Sequence, residues 1–145
     1  MRGGHVGINV KDMEVSKEFY INLFGFEVIF EETLEDKRYI FLGHDGEIII
    51  TLWEQAQNSF SKNTAGLHHL AFIVDSVDEL KAFEKKLDDN NVSKIYDGIV
   101  SHAEGAQSGG VFFLDPSGVR LEVCIAEGID ECNPEIKDHS SCGFF

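Results

Sequence analysis

One internal repeat limits the folds open to this chain. His5-Val6-Gly7-Ile8-Asn9-Val10 is matched by His69-Leu70-Ala71-Phe72-Ile73-Val74, an offset of 69 − 5 = 64 residues. The offset holds onward without a gap and pairs Phe19 with Phe83 and Leu23 with Leu87. Each copy opens as an alternating strand, turns through a few polar residues and continues as an amphipathic helix. Val6, Ile8 and Val10 face one way, and His5, Gly7 and Asn9 the other. In the second copy Leu70, Phe72 and Val74 oppose His69, Ala71 and Ile73. On each histidine's face a small residue stands two positions on, which leaves room above the sheet for a ligand.

Further along, the pattern predicts a helix over Met13 to Leu23, with Asp12 as N-cap and Gly25 as its stop. Strands follow at Phe26 to Glu32, Arg38 to Leu42 and Glu47 to Trp53, with Asp45-Gly46 as a hairpin turn. The second helix runs from Val77 to Leu87, is capped by Ser76 and is broken by Asp88 to Asn91. Strands recur at Val92 to Tyr96, Val111 to Leu114 and Val119 to Ile125, and His102 to Gly110 reads as a loop. The result is an α+β chain of two tandem βαβββ modules. Neither module has enough strand to close a core alone, so the pair should build a curved sheet around a cleft with helices outside. A single domain over 1–126 is expected, with module one at 4–54, a polar linker at 55–66, module two at 67–126 and an acidic tail at 127–145.

Composition narrows the partners. Net charge is −14, with 12 basic residues against 26 acidic ones and no basic patch, so nucleic acid and anionic membranes are poor candidates. No apolar run approaches the roughly 20 residues of a membrane span. No signal-peptide stretch follows Met1-Arg2-Gly3-Gly4, so a cytoplasmic address is expected. Three cysteines are an odd number for a disulfide framework. Cys124 reads as a small buried hydrophobe, and the spacing of Cys132 and Cys142 in the tail matches no common zinc motif.

Asp115-Pro116-Ser117-Gly118 is turn chemistry feeding the strand Val119-Arg120-Leu121-Glu122-Val123. Two histidines at equivalent repeat positions and one strand glutamate suggest a two-histidine, one-carboxylate metal site of His5, His69 and Glu122. His68 is the local rival of His69, but the repeat register favours His69, with His68 expected on the opposite face. For Glu122 the bland reading is a solvated edge-strand carboxylate. His44 and His139 read as surface residues.

The histidine-led strands, the doubled βαβββ module and the ending Phe113-Leu114-Asp115-Pro116-Ser117-Gly118-Val119-Arg120-Leu121-Glu122 resemble the vicinal oxygen chelate superfamily. That group includes glyoxalase I, extradiol ring-cleaving dioxygenases, fosfomycin-resistance thiol transferases, methylmalonyl-CoA epimerases and bleomycin-binding proteins. The resemblance spans Gly4 to Ala126. It implies a divalent metal, Fe(II), Mn(II), Zn(II) or Ni(II), on His5, His69 and Glu122, a small-molecule substrate and a homodimer. Glyoxalase I and the epimerases add a ligand on the last strand of the first module; counting from Gly46 puts Ile50 opposite Glu122, and a one-residue shift puts Thr51 there, neither a carboxylate. The fosfomycin enzymes need cationic anchors, and this chain has only Arg2, Arg38 and Arg120. They and the extradiol enzymes favour tyrosine where Phe112 stands. The extradiol enzymes also carry a histidine in the loop before that strand, and His102 holds a comparable place as a catalytic acid–base group. Extradiol-type oxidation of an aromatic or hydrophobic substrate is therefore the leading expectation, ahead of glyoxalase-type isomerisation and of metal-free binding like that of the bleomycin-sequestering proteins.

Overall fold

A computed structural model describes residues 3–35, 37–103 and 105–129. Two compact units emerge. One comprises the chain up to Ser61 together with Asp115–Val119, and the other Lys62–Leu114 together with the chain from Arg120 onward.

In the first unit the order is β1 (Val6–Val10), α1 (Met13–Phe24), β2 (Glu27–Leu34), β3 (Lys37–His44) and β4 (Glu47–Glu54). Asp12 caps α1 by accepting the Val15 N–H at 3.1 Å, and Gly25 ends it in the left-handed region at φ 69°. The sheet order is β1-β4-β3-β2, with β1 parallel to β4 and the other pairs antiparallel. The Asp45-Gly46 turn forms as expected, with positive φ at both residues. Ile8, Val10, Ile40, Leu42, Ile50 and Leu52 fill one face of this sheet and pack on Met13, Tyr20 and Leu23 of α1.

Tyr20 is fully buried, and its hydroxyl donates to Asp115 Oδ2 at 3.1 Å. The other oxygen, Oδ1, accepts the N–H groups of Ser117 at 2.8 Å and Val119 at 2.7 Å. Five residues encoded in the second repeat thus complete the core of the first unit.

The second unit repeats the topology: β5 (Leu70–Ile73), α2 (Val77–Asp89), β6 (Val100–Ser101), β7 (Gly109–Leu114) and β8 (Arg120–Ile125), in the sheet order β5-β8-β7-β6. Ser76 caps α2 as expected, by accepting from Glu79 N–H. Val111, Phe113, Leu121 and Val123 pack against α2, where Leu80 and Leu87 are fully buried.

Three expectations need correction. Helix α2 continues to Asp89, because Lys85 pairs with Asp89 at 2.6 Å and the Asn90 side chain caps the Lys86 carbonyl at 2.8 Å. Val92 to Tyr96 is not a strand. Only a bridge between Lys94 and Phe113 forms, between the left-handed Asn91 (φ 53°) and Gly98 (φ 98°), and the short edge strand lies at Val100–Ser101 instead. Cys124 is half-exposed rather than buried, since it alternates with Val123 and so shares the face of Glu122. Cys132, Cys142, His139 and the rest of the tail beyond Ile129 lie outside the described residues. Among the described residues no helix is long and apolar enough to cross a membrane.

Candidate functional site

Glu122 anchors the site. The turn before β8 sets its position: Asp115 Oδ1 gathers the Ser117 and Val119 N–H groups, and Gly118 takes φ 87°, a conformation that L side chains rarely adopt. From there β8 alternates. Leu121 and Val123 turn toward α2, and Glu122 turns to the open face, beside Ala71 of β5 and Phe112 of β7. The strand is interior to its sheet, and Glu122 is only 3% exposed. It is therefore not a solvated edge carboxylate. A buried carboxylate needs partners or a cation to hold its charge.

Two imidazoles supply those partners. His102 Nε2 lies 2.7 Å from Glu122 Oε1, and His69 Nε2 lies 3.2 Å from Oε2. His102 is held from behind as well. Its Nδ1 meets Ser108 Oγ at 3.0 Å, and its backbone N–H donates to the Ser108 carbonyl at 3.0 Å. Ser101 Oγ ties the same loop to the carbonyls of Ala103 and Ala106. Both ring nitrogens of His102 are thus engaged, Nε2 by Glu122 and Nδ1 by Ser108. The ring also packs at 6.3 Å on Phe112, which Tyr96 covers edge-on at 5.6 Å. Burial pushes the His69 imidazole below the ordinary histidine value; the positive charges of His68 and Arg120 add to this, while Glu122 opposes it. The neutral ring is the form that ligates metals.

The expected site residues thus fall as follows. His69, His102 and Glu122 come together in the second unit. His5 lies in the first unit, exposed, immediately ahead of β1. His68 is not turned away from its neighbour: it precedes β5, outside strand alternation, and its Nδ1 sits 2.7 Å from His69 Nδ1 while Arg120 Nε donates to its carbonyl at 3.0 Å. Among the described residues no group of three or more His, Cys, Asp or Glu side chains is arranged to hold a metal ion. The donor chemistry nonetheless suits a divalent cation, for a buried carboxylate already faces two imidazole nitrogens. Ser108, Tyr96 and Arg120 escaped the sequence reading of the site, since aperiodic loop residues and a lone strand arginine carry no pattern.

Pairing within each sheet settles the counterpart of Glu122. Ala71 pairs with Glu122, and Gly7, its repeat equivalent at 71 − 64 = 7, pairs with Thr51. Ile50 instead is fully buried on the face toward α1. The counterpart is therefore a hydroxyl, and it accepts the Trp53 indole N–H at 3.0 Å.

The chain matches the Glyoxalase/Bleomycin resistance protein/Dioxygenase superfamily over residues 2–123. It is 36% identical over 81 residues to YwkD of Bacillus subtilis (strain 168), covering 52% of this chain and 62% of that one. To the Catechol-2,3-dioxygenase of the same organism it is 23% identical over 123 residues, covering 83% of this chain and 40% of that one. The chain thus spans less than two thirds of either protein. A Trivalent organoarsenical cleaving enzyme from Bacillus sp. (strain MD1) is 30% identical over 122 residues, 84% of this chain and 71% of that one. Among solved structures, a glyoxylase/bleomycin resistance protein/dioxygenase domain from Frankia sp. EAN1pec superimposes with TM-score 0.76 at 18% identity, covering 88% of this chain and 98% of that one. The fosfomycin resistance protein FosX of Listeria monocytogenes, complexed with Mn(II) and sulfate, superimposes with TM-score 0.64 at 19% identity, covering 83% and 88%. These two likenesses concern the fold.

Proposed function

Because the chain belongs to the Glyoxalase/Bleomycin resistance protein/Dioxygenase superfamily, we propose that it is a divalent-metal enzyme whose ion is held by His5, His69 and Glu122. The observation that carries this reading is Glu122, buried to 3% and met by imidazole nitrogens at 2.7 and 3.2 Å. When bound, the cation supplies Lewis acidity and open positions for a chelating substrate. The chain's residues do the rest. Glu122 brings negative charge, His69 presents a neutral nitrogen, and His102, fixed at both ring nitrogens, is placed to move a proton at its Nε2.

The reaction we favour is extradiol-type oxidation of a small aromatic substrate. Thr51 stands where a glyoxalase-type isomerase would place a fourth, carboxylate ligand, and arginines to hold a phosphonate are scarce. One relative is named for a catechol and another for a trivalent organoarsenical, so a trivalent organoarsenical belongs beside the catechols in any substrate panel. A homodimer is part of the same reading and is checked by sedimentation.

The test is metal content followed by turnover. Chain reconstituted with Fe(II) or Mn(II) should retain about one ion, and His5→Ala/His69→Ala/Glu122→Ala should not. Wild-type metal retention by that variant would end the assignment, and a chain that binds no ion at all would be a metal-free binding module. Oxygen uptake with catechols supports the dioxygenase. Absent uptake, with isomerisation of a glutathione hemithioacetal under Ni(II) or Zn(II), would replace it with the glyoxalase reaction.

A further inference from the structure

His68 and His69 are neighbours in sequence, and successive residues of a strand point to opposite faces. Their rings meet all the same. The two Nδ1 atoms lie 2.7 Å apart, and the rings sit edge to face with centroids at 5.0 Å and planes at 77°. The contact forms because β5 begins only at Leu70, which pairs with Leu121, so both histidines precede strand alternation.

The chain leading to them is a turn and bends over 62–66 and gives His68 no regular backbone to follow. Arg120 supplies an anchor instead. It opens β8, an interior strand of its sheet, and is 5% exposed on the face that carries Glu122 two residues on. Its Nε donates to the His68 carbonyl at 3.0 Å. A buried side chain of the strand that bears Glu122 thus holds the backbone from which both histidines project.

The consequence falls on His69. Its Nε2 lies 3.2 Å from Glu122 Oε2, and its Nδ1 meets His68. A ring held at one nitrogen still swings about that contact; a ring held at both has its direction set. In metal sites the imidazole nitrogen turned away from the cation takes a partner that fixes the ring. In His69 that nitrogen is Nδ1, and His68 is its partner.

We propose that His68 is a positioning residue: held by Arg120 through its carbonyl, it fixes the His69 imidazole toward Glu122 through its own Nδ1. The assignment rests on the divalent-metal reading and adds two residues to it.

His68 is exposed, so its substitutions should leave the fold intact, as circular dichroism checks. Asparagine places a polar atom as many bonds from Cβ as Nδ1 is, whereas phenylalanine keeps a ring without nitrogen. In the full chain freed of metal, the His69 ring signals are assigned in carbon–proton NMR spectra by their loss in His69→Ala. They should stay in place in His68→Asn and move toward free-histidine positions in His68→Phe. Arg120→Gln, which keeps a nitrogen donor where Nε stands, should follow His68→Asn. Arg120→Lys, which keeps the charge and puts a methylene there, should follow His68→Phe. Affinity for Mn(II), read from the paramagnetic resonance of the free ion, should fall about tenfold in His68→Phe and Arg120→Lys and stay within about twofold in the other two, an outer partner being worth roughly 10–100-fold. Unmoved His69 signals in His68→Phe overturn the assignment. So does a loss of Mn(II) in His68→Phe as complete as in His69→Ala, which would make His68 a ligand itself. Equal behaviour of Arg120→Gln and Arg120→Lys overturns the role of Arg120. Ring signals that respond as expected in a chain that binds no Mn(II) would end the metal reading and leave the positioning of His69 standing, so the two fail separately.

Discussion

Removing one hydroxyl from the first unit should destabilise it measurably. In Tyr20→Phe the ring stays and Asp115 Oδ2 loses its 3.1 Å donor. Both residues are buried, Tyr20 at 0% and Asp115 at 4% exposure, so water does not readily replace the lost bond. A hydrogen bond to a charged group contributes roughly 1.5–3 kcal/mol. With a urea dependence of about 2 kcal/mol/M for a chain of this size, the midpoint should fall by about 0.7–1.5 M at unchanged slope. Trp53 emission and circular dichroism both follow that transition.

A pH signature accompanies the change. Burial raises the Asp115 carboxyl above its ordinary value, and its hydrogen bonds, that from Tyr20 among them, pull it partly back. Between the unfolded and folded values the native state therefore holds more protons than the unfolded one. This contribution to stability is complete below the unfolded value and is lost as pH rises through the folded value. Removing the Tyr20 donor raises Asp115 further, so in Tyr20→Phe the loss should extend to higher pH. Asp115→Asn should abolish that slope. A midpoint shift below about 0.2 M, or the same acid-side slope in all three proteins, would refute the buried hydrogen bond as a stabilising element.

Other outcomes follow from the same geometry. Gly43→Ala should cost about 1–3 kcal/mol by thermal or urea unfolding, because a Cβ there runs into the Glu47 backbone carbonyl at the irregularity between β3 and β4. His102→Ala should lower turnover roughly 10²–10⁴-fold with metal content by elemental analysis unchanged, since it contacts Glu122 from outside the proposed ligand set. Limited proteolysis should cut first between Lys62 and Gly66. The earlier linker residues are tied down, with Ala56 N–H on the Val10 carbonyl and Phe60 N–H on the Ser117 carbonyl. First cuts within α2 would contradict the unit boundary.

The repeat made most of the topology legible. Strand, helix and cap positions at Asp12, Gly25 and Ser76 follow from local chemistry that a sequence carries in full. The register of β4 did not, because counting from Gly46 ignores that its two-residue turn and the longer Asp115–Gly118 turn deliver their strands one residue out of step. Only hydrogen-bonded pairing identifies Thr51 rather than Ile50. Val92 to Tyr96 misled for the opposite reason: its composition suits a strand, but left-handed Asn91 and Gly98 bound it too closely for a ladder to grow. At the site, the histidines and Glu122 are visible as pattern. In the first unit, the stacking of Phe30, Phe41, Tyr39 and Trp53 is not, since these rings come from three strands and meet only through register.

The excursion of Asp115–Val119 into the first unit bears on how the chain is made. The first repeat leaves the ribosome early, yet the acceptor for its buried tyrosine and the partner of the Phe60 N–H are not yet synthesised. The unit encoded first can therefore be finished only when residue 119 has emerged. Until then Tyr20 must stay hydrated or find a substitute, and the nascent first repeat depends on the second for its completion.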